Sequence, residues 1–164
     1  MNLYIIRHAW AAERDDSRWP DDDLRPLTDE GKERFAEMVK SLVRRGMAPG
    51  VIATSPLVRC VQTAQLVVAG LPDEPELVEL DELRPGSRLG SLLGWTARQA
   101  QRHDEIAWVG HAPDVSHLTA ALMGEGDCQI RFAKGAIAAL RFDGSAAFGA
   151  GELQWLVTAK VLGV

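Results

Sequence analysis

Apolar residues recur along this chain with two periods, and the switch from one to the other marks out its elements. Leu3-Tyr4-Ile5-Ile6 is a short run of strand-forming residues ending on Arg7-His8. Val51-Ile52-Ala53-Thr54 and Ile106-Ala107-Trp108-Val109 are runs of the same kind. The first leads into Ser55-Pro56-Leu57-Val58-Arg59, the second through Gly110 to His111. Short unbroken apolar runs of this length read as strands buried on both faces. Phe35, Met38, Val39, Leu42 and Val43 keep helical spacing instead, behind Thr28 as N-cap and Asp29 and Glu30 in the first turn, with Gly46 as the stop. Ser55 and Pro56 predict the cap and first position of a second helix. It would carry Arg59 in its first turn and Val61, Ala64 and Val68 on its buried face, and break at Gly70 to Pro75.

Glu76 through Leu80 alternates and reads as a short strand running into a loop, with a turn at Pro85-Gly86. A short helix is predicted over Leu89 to Gln101, with Leu92, Leu93 and Trp95 inward and His103 on the surface beyond it. After His111 a helix containing Val115, Leu118, Leu122 and Met123 ends at Gly124, and His117 within it reads as structural. Ala136 to Phe142 and Gly151 to Val161 predict a closing pair of strands, with Leu153, Trp155 and Val157 alternating. Strands and helices that alternate and then close with two strands predict a three-layer α/β/α sandwich. Its sheet would be mixed but mostly parallel, with an antiparallel strand from the C-terminal hairpin, in one domain over residues 1–164.

Composition narrows the classes. The chain of 164 residues has 46% hydrophobic and 25% charged residues, as a globular protein does. A net charge of -5 argues against nucleic-acid binding. No apolar run approaches the ~18 residues that span a bilayer, and the N-terminus lacks a signal-peptide pattern. Two cysteines, Cys60 and Cys128, do not make a disulfide framework and suit reducing cytoplasm. Zinc-like Cys or His spacing is missing, so neither metal nor cofactor is expected.

The candidate chemistry follows from where the runs end. Parallel strands place their carboxyl ends on one edge, where ligands of open α/β sheets bind, so Arg7, His8, Arg59 and His111 should converge. Two imidazoles and two guanidiniums in one cleft repel each other unless an anion sits among them, which points to phosphate. The acidic segment Glu13 to Asp23 either folds over the rim of that cleft or is a solvated connection. Cys60 reads as a small buried residue.

Arg7-His8-Ala9, the run Ser55 to Ala64, Gly110-His111-Ala112-Pro113 and the segment Leu24-Arg25-Pro26-Leu27-Thr28-Asp29-Glu30-Gly31 follow one another in an order that resembles the histidine phosphatase superfamily, or phosphoglycerate mutase-like fold. The compact length and the Arg-Pro-Leu-Thr segment look most like its SixA-type phosphohistidine phosphatases. The resemblance implies a metal-independent hydrolase with His8 as nucleophile, forming a covalent phosphohistidine. Arg7, Arg59 and His111 would hold the phosphoryl group with it. Ala9 replaces the usual glycine of the superfamily, which compact members accept. Trp10 stands where SixA has an aspartate, and either shapes the pocket or packs in the core. Many members carry an acidic general acid after the third strand, and Glu82 lies in a similar place. SixA-like enzymes do without it, so a solvated-loop role for Glu82 is preferred.

The expected substrate is a phosphohistidine on a protein, such as a histidine-containing phosphotransfer domain. A phosphatase of small phosphate esters is the alternative, and a non-catalytic phosphate-binding module is less favoured because His8 and His111 are both present. Only about fifty residues separate Arg59 from His111, which leaves no room for the lid of a mutase. The pocket should be shallow and open with an acidic rim. The protein is expected to act in the cytoplasm as a monomer, without nucleic-acid or membrane partners.

Overall fold

A computed structural model describes residues 1–124 and 128–164. Along the chain run β1 (Asn2–Arg7), α1 (Asp29–Val43), β2 (Val51–Thr54), α2 (Val58–Gly70), β3 (Glu76–Glu79), α3 (Leu89–Gln99), β4 (Glu105–Gly110), α4 (Asp114–Met123), β5 (Ile137–Arg141), β6 (Glu152–Val157) and α5 (Ala159–Leu162). Single 3-10 turns lie at Asp22–Leu24 and Asp81–Leu83. The six strands form one sheet in the order β3-β2-β4-β1-β5-β6. Neighbours among β3, β2, β4 and β1 pair in parallel, while β5 runs antiparallel to both β1 and β6, so five of the six strands point the same way. This is the mixed, mostly parallel sheet that the alternation of strands and helices predicts.

Both faces of the sheet are buried, which is why its central strands are apolar at every position rather than at every second one. Tyr4 and Ile6 point to one side, with Phe35, Met38, Val39, Ala64 and Val67 of α1 and α2. Leu3 and Ile5 point to the other, with Leu92, Trp95, Val115, Leu118 and Leu122 of α3 and α4. Trp108 is fully buried on that second side and donates its Nε1–H to Thr96 Oγ1 at 3.1 Å. The indole thus keeps a partner for the one polar atom it takes out of water.

The α1 boundaries follow the sequence pattern: Thr28 Oγ1 accepts from the Gly31 amide at 3.0 Å. A side chain at Gly31 would stand 2.5 Å from the Trp10 carbonyl, so the helix can start this close to the chain leaving β1 only with glycine there. Several expectations need correction. Helix α2 begins at Val58 with Leu57 at its cap position, because the Ser55 hydroxyl is used elsewhere. The buried face of α2 is Arg59, Cys60, Thr63, Ala64 and Val67, with Val61 and Val68 only half-buried. Helix α3 stops at Gln99, two residues before the predicted end. The last strand stops at Val157 rather than Val161: Ala159 and Leu162 are spaced for one helical turn and pack toward α1, leaving Val161 74% exposed. His103 is half-buried against Gly50, and His117 is exposed on α4 rather than structural.

Candidate active site

The site forms at the carboxyl ends of the two central strands. In the register of β1 and β4, Arg7 pairs with Gly110, so His8 and His111 each stand one residue past the sheet edge. The His8 amide donates to the Gly110 carbonyl at 3.0 Å and extends the ladder by one bond. The two imidazoles face each other with ring centroids 5.7 Å apart and planes inclined at 58°. Strand β2, next to β4, ends at Thr54, with Ser55 just beyond it and Arg59 in the first turn of α2. His8, Arg59 and His111 are all buried, and Arg7 is half-buried.

His8 is held as a neutral ring of fixed orientation. Its Nδ1 lies 2.8 Å from the Ala9 carbonyl, which can only accept, so Nδ1 carries the proton and Nε2 keeps its lone pair. Burial pushes the His8 pKa down to about 3, and the charges of Arg59, His111 and Arg7 push the same way against the opposing bond to Ala9. Burial also lowers His111, to about 4. Arg59 and Arg25 add to that shift, while Asp23 and Asp22 oppose it. His111 Nε2 shares a hydrogen bond with Ser55 Oγ at 2.8 Å. Cys60 lies 3.6 Å from the same ring with its thiol donating to Gly110, and burial raises its pKa, so it is an inert filler as the sequence suggests.

The arginines retain donors for an anion. Arg7 Nη1 donates to the Phe132 carbonyl at 2.7 Å, while the buried Nε atoms of Arg7 and Arg59 have no partner. Desolvated N–H groups of this kind are costly unless an acceptor reaches them. A phosphoryl group has three oxygens to offer.

Three groups at the site escape the sequence reading. The 3-10 turn at the end of the acidic segment lies on Arg59: Asp22 takes Nη1 on its carbonyl at 2.7 Å and Nη2 on its carboxylate at 3.1 Å. Of the two readings of that segment, its last residues follow the first. Arg25 donates its Nε to Asp22 at 2.7 Å and its Nη1 to the Ala12 carbonyl at 2.8 Å, a third guanidinium near His111. Its signal was the Arg-Pro-Leu-Thr segment. Thr63 Oγ1 accepts from the Ala9 amide at 3.0 Å and donates to the Arg59 carbonyl at 2.6 Å, so one hydroxyl ties the end of β1 to α2.

Glu82 and Trp10 each have a partner of their own. Glu82 follows the edge strand β3 and pairs with Arg88 at 3.0 Å. The ring of Trp10 lies under Arg34 at 4.4 Å and against Gly135, on the α1 side, which is its packing role. Among the described residues no group of three His, Cys, Asp or Glu side chains is placed to hold a metal ion, and no helix is long and apolar enough to cross a membrane.

Residues 3–142 match the model of the histidine phosphatase superfamily (branch 1). The chain belongs to that superfamily. It is a hydrolase whose reaction passes through a covalent phosphohistidine. An uncharacterized protein of Picosynechococcus sp. is 34% identical over 144 residues, which cover 86% of this chain and 85% of that one. The structure of the protein histidine phosphatase SixA complexed with tungstate superposes with a TM-score of 0.85 at 27% identity, covering 99% of both chains. A mutant phosphoserine phosphatase of Entamoeba histolytica in complex with phosphoserine shares the fold at a TM-score of 0.68 and 16% identity, over 98% of each chain.

Proposed function

We propose that His8 is the nucleophile and that the substrate is a phosphohistidine presented by a protein. The observation that carries the first part is the Nδ1 bond of His8 to Ala9, which leaves Nε2 unprotonated on a buried ring 5.7 Å from that of His111 and close to the charges of Arg7 and Arg59. Nε2 attacks phosphorus as the substrate P–N bond breaks. A substrate ring protonated on its other nitrogen departs as neutral imidazole. Water then attacks the phosphoryl group on His8, the P–Nε2 bond breaks, the proton of the water passes to the departing phosphate or to solvent, and His8 returns with its Nδ1–H unchanged. Arg7, Arg59 and His111 act by positioning the group and balancing charge on its equatorial oxygens, which is most of what phosphoryl transfer asks of a protein.

Likeness to SixA, a protein histidine phosphatase, supports the protein-borne substrate. So does the pairing of Glu82 with Arg88. An alkoxide leaving group needs a proton delivered as its bond breaks, whereas imidazole does not. Small phosphate esters are the competing class, and a phosphoserine phosphatase on the same fold keeps it in view. The test compares kcat/KM on a phosphorylated histidine-containing phosphotransfer domain with that on free phosphohistidine and a panel of sugar and nucleotide phosphates. The phosphoprotein should be preferred, and brief exposure to it should leave an acid-labile, base-stable adduct that His8→Ala abolishes. A small ester hydrolysed far more efficiently would overturn the substrate, and label retained by His8→Ala would overturn the nucleophile.

A further inference from the structure

Beside the site runs a groove of about 340 Å³ whose lining includes Trp10, Arg34, Arg131, Lys134, Thr158 and Lys160, and no carboxylate. Four cations on one face are unexpected in a chain of net charge -5. Arg131, Lys134 and Lys160 are exposed and pair with no carboxylate among the described residues. Arg34 lies over the Trp10 ring and donates to the backbone oxygen of Val164 at 2.8 Å. Glu13 and Glu30 line an adjoining groove around Trp10 and Arg34.

The groove is continuous with the phosphoryl site. Arg131 and Lys134 flank Phe132, whose carbonyl takes Arg7 Nη1, and the next residue, Gly135, donates its amide to the His8 carbonyl at 3.0 Å. One loop therefore supports the nucleophile from within and presents unpaired cations outside. The acidic turn meets the site at Arg59, where Asp22 pairs with it, and Asp23 pairs with Arg84. We infer that the groove is the docking surface for an acidic segment of the protein that carries the phosphohistidine, and that the contrast between basic groove and acidic turn sets its orientation. The inference rests on the protein-borne substrate proposed above. The chemistry recognised is carboxylates in series, close to the phosphorylated side chain.

The test uses Arg131→Glu/Lys134→Glu/Lys160→Glu in the full chain, with the corresponding Gln variant as a milder change. Turnover of free phosphohistidine within about twofold of wild type reports an intact fold and site. On a phosphorylated histidine-containing phosphotransfer domain, KM should rise about tenfold or more at low salt with kcat little changed, and less in the Gln variant. The gap should narrow toward about 0.5 M salt, where exposed charges are screened within a few ångströms. Equal KM values for wild type and both variants on the phosphoprotein would overturn the docking surface while leaving the substrate intact. Wild-type protein that hydrolyses free phosphohistidine or esters but leaves the phosphoprotein untouched would overturn the substrate itself, and the docking surface with it.

Discussion

Acidification from pH 7 to pH 5 should weaken the fold by about 4 kcal/mol through His8 and His111 alone. Their folded-state values, about 3 and about 4, lie below the ordinary imidazole value of 6.5. Between those limits the unfolded chain binds protons that the folded chain refuses. The contribution is therefore fully present above pH 6.5 and is lost as pH falls toward the folded values. At about 1.36 kcal/mol per pH unit over about 1.5 units, each ring loses about 2 kcal/mol by pH 5. Both rings are buried, at 7% and 5% exposure, so solvent does little to reduce the effect. Against a total stability of about 5–15 kcal/mol, the loss is large enough to measure and small enough to leave protein folded. Urea unfolding of wild type and of His8→Asn/His111→Asn at both pH values isolates it, since the carboxylates titrate alike in the two proteins. Wild type should lose about 4 kcal/mol more than the variant, and added phosphate should shrink the difference, because an anion among the guanidiniums favours charged imidazoles. Equal losses in the two proteins would refute the account of two buried, neutral rings.

Two substitutions test the groups around the rings. Asp22→Asn removes the carboxylate that holds Arg59 and Arg25. Since Asp22 is itself 37% exposed, the cost in stability should be near 1 kcal/mol. Inorganic phosphate should then inhibit several-fold more strongly, because a like charge no longer shares Arg59, and weaker inhibition would mean that Asp22 mainly positions the guanidinium. Glu82→Gln should change turnover of alkyl phosphates, aryl phosphates and phosphohistidine by equally small factors, and a selective loss on alkyl phosphates would make Glu82 the general acid.

What could be read from the sequence was whatever depends on local period and strand polarity. Strands buried on both faces announce themselves as unbroken apolar runs, and parallel strands share an edge. Residues as distant as His8 and His111 could therefore be placed together without coordinates. What could not be read was how side chains in loops choose among partners. Ser55 before Pro56 has the form of a helix cap, yet its hydroxyl bonds His111, a preference fixed by β4 arriving beside β2. Asp22 is one of three consecutive aspartates. Only the path of the chain selects it for Arg59 and leaves Asp23 to Arg84. The last helical turn hid within an apparent strand because Ala159 and Leu162 satisfy a helical spacing too short to stand out.

The substitution of alanine for the superfamily's usual glycine after Arg-His can be judged on the same physical terms. A glycine is required where the backbone turns left-handed or where another group stands in the way of a side chain. Neither holds at Ala9, since no residue other than glycine has a positive φ among the described residues. Ala9 is fully buried, and its methyl group joins the cluster shared with Phe35 and Cys60. Its backbone does the work that bears on the site: the amide reaches Thr63 and the carbonyl takes the Nδ1 proton of His8. Both bonds are available to any residue that can adopt this conformation. The orientation of His8 therefore depends on the path of the chain past β1 and on the Thr63 hydroxyl that fixes it, and a buried methyl at position 9 is compatible with both.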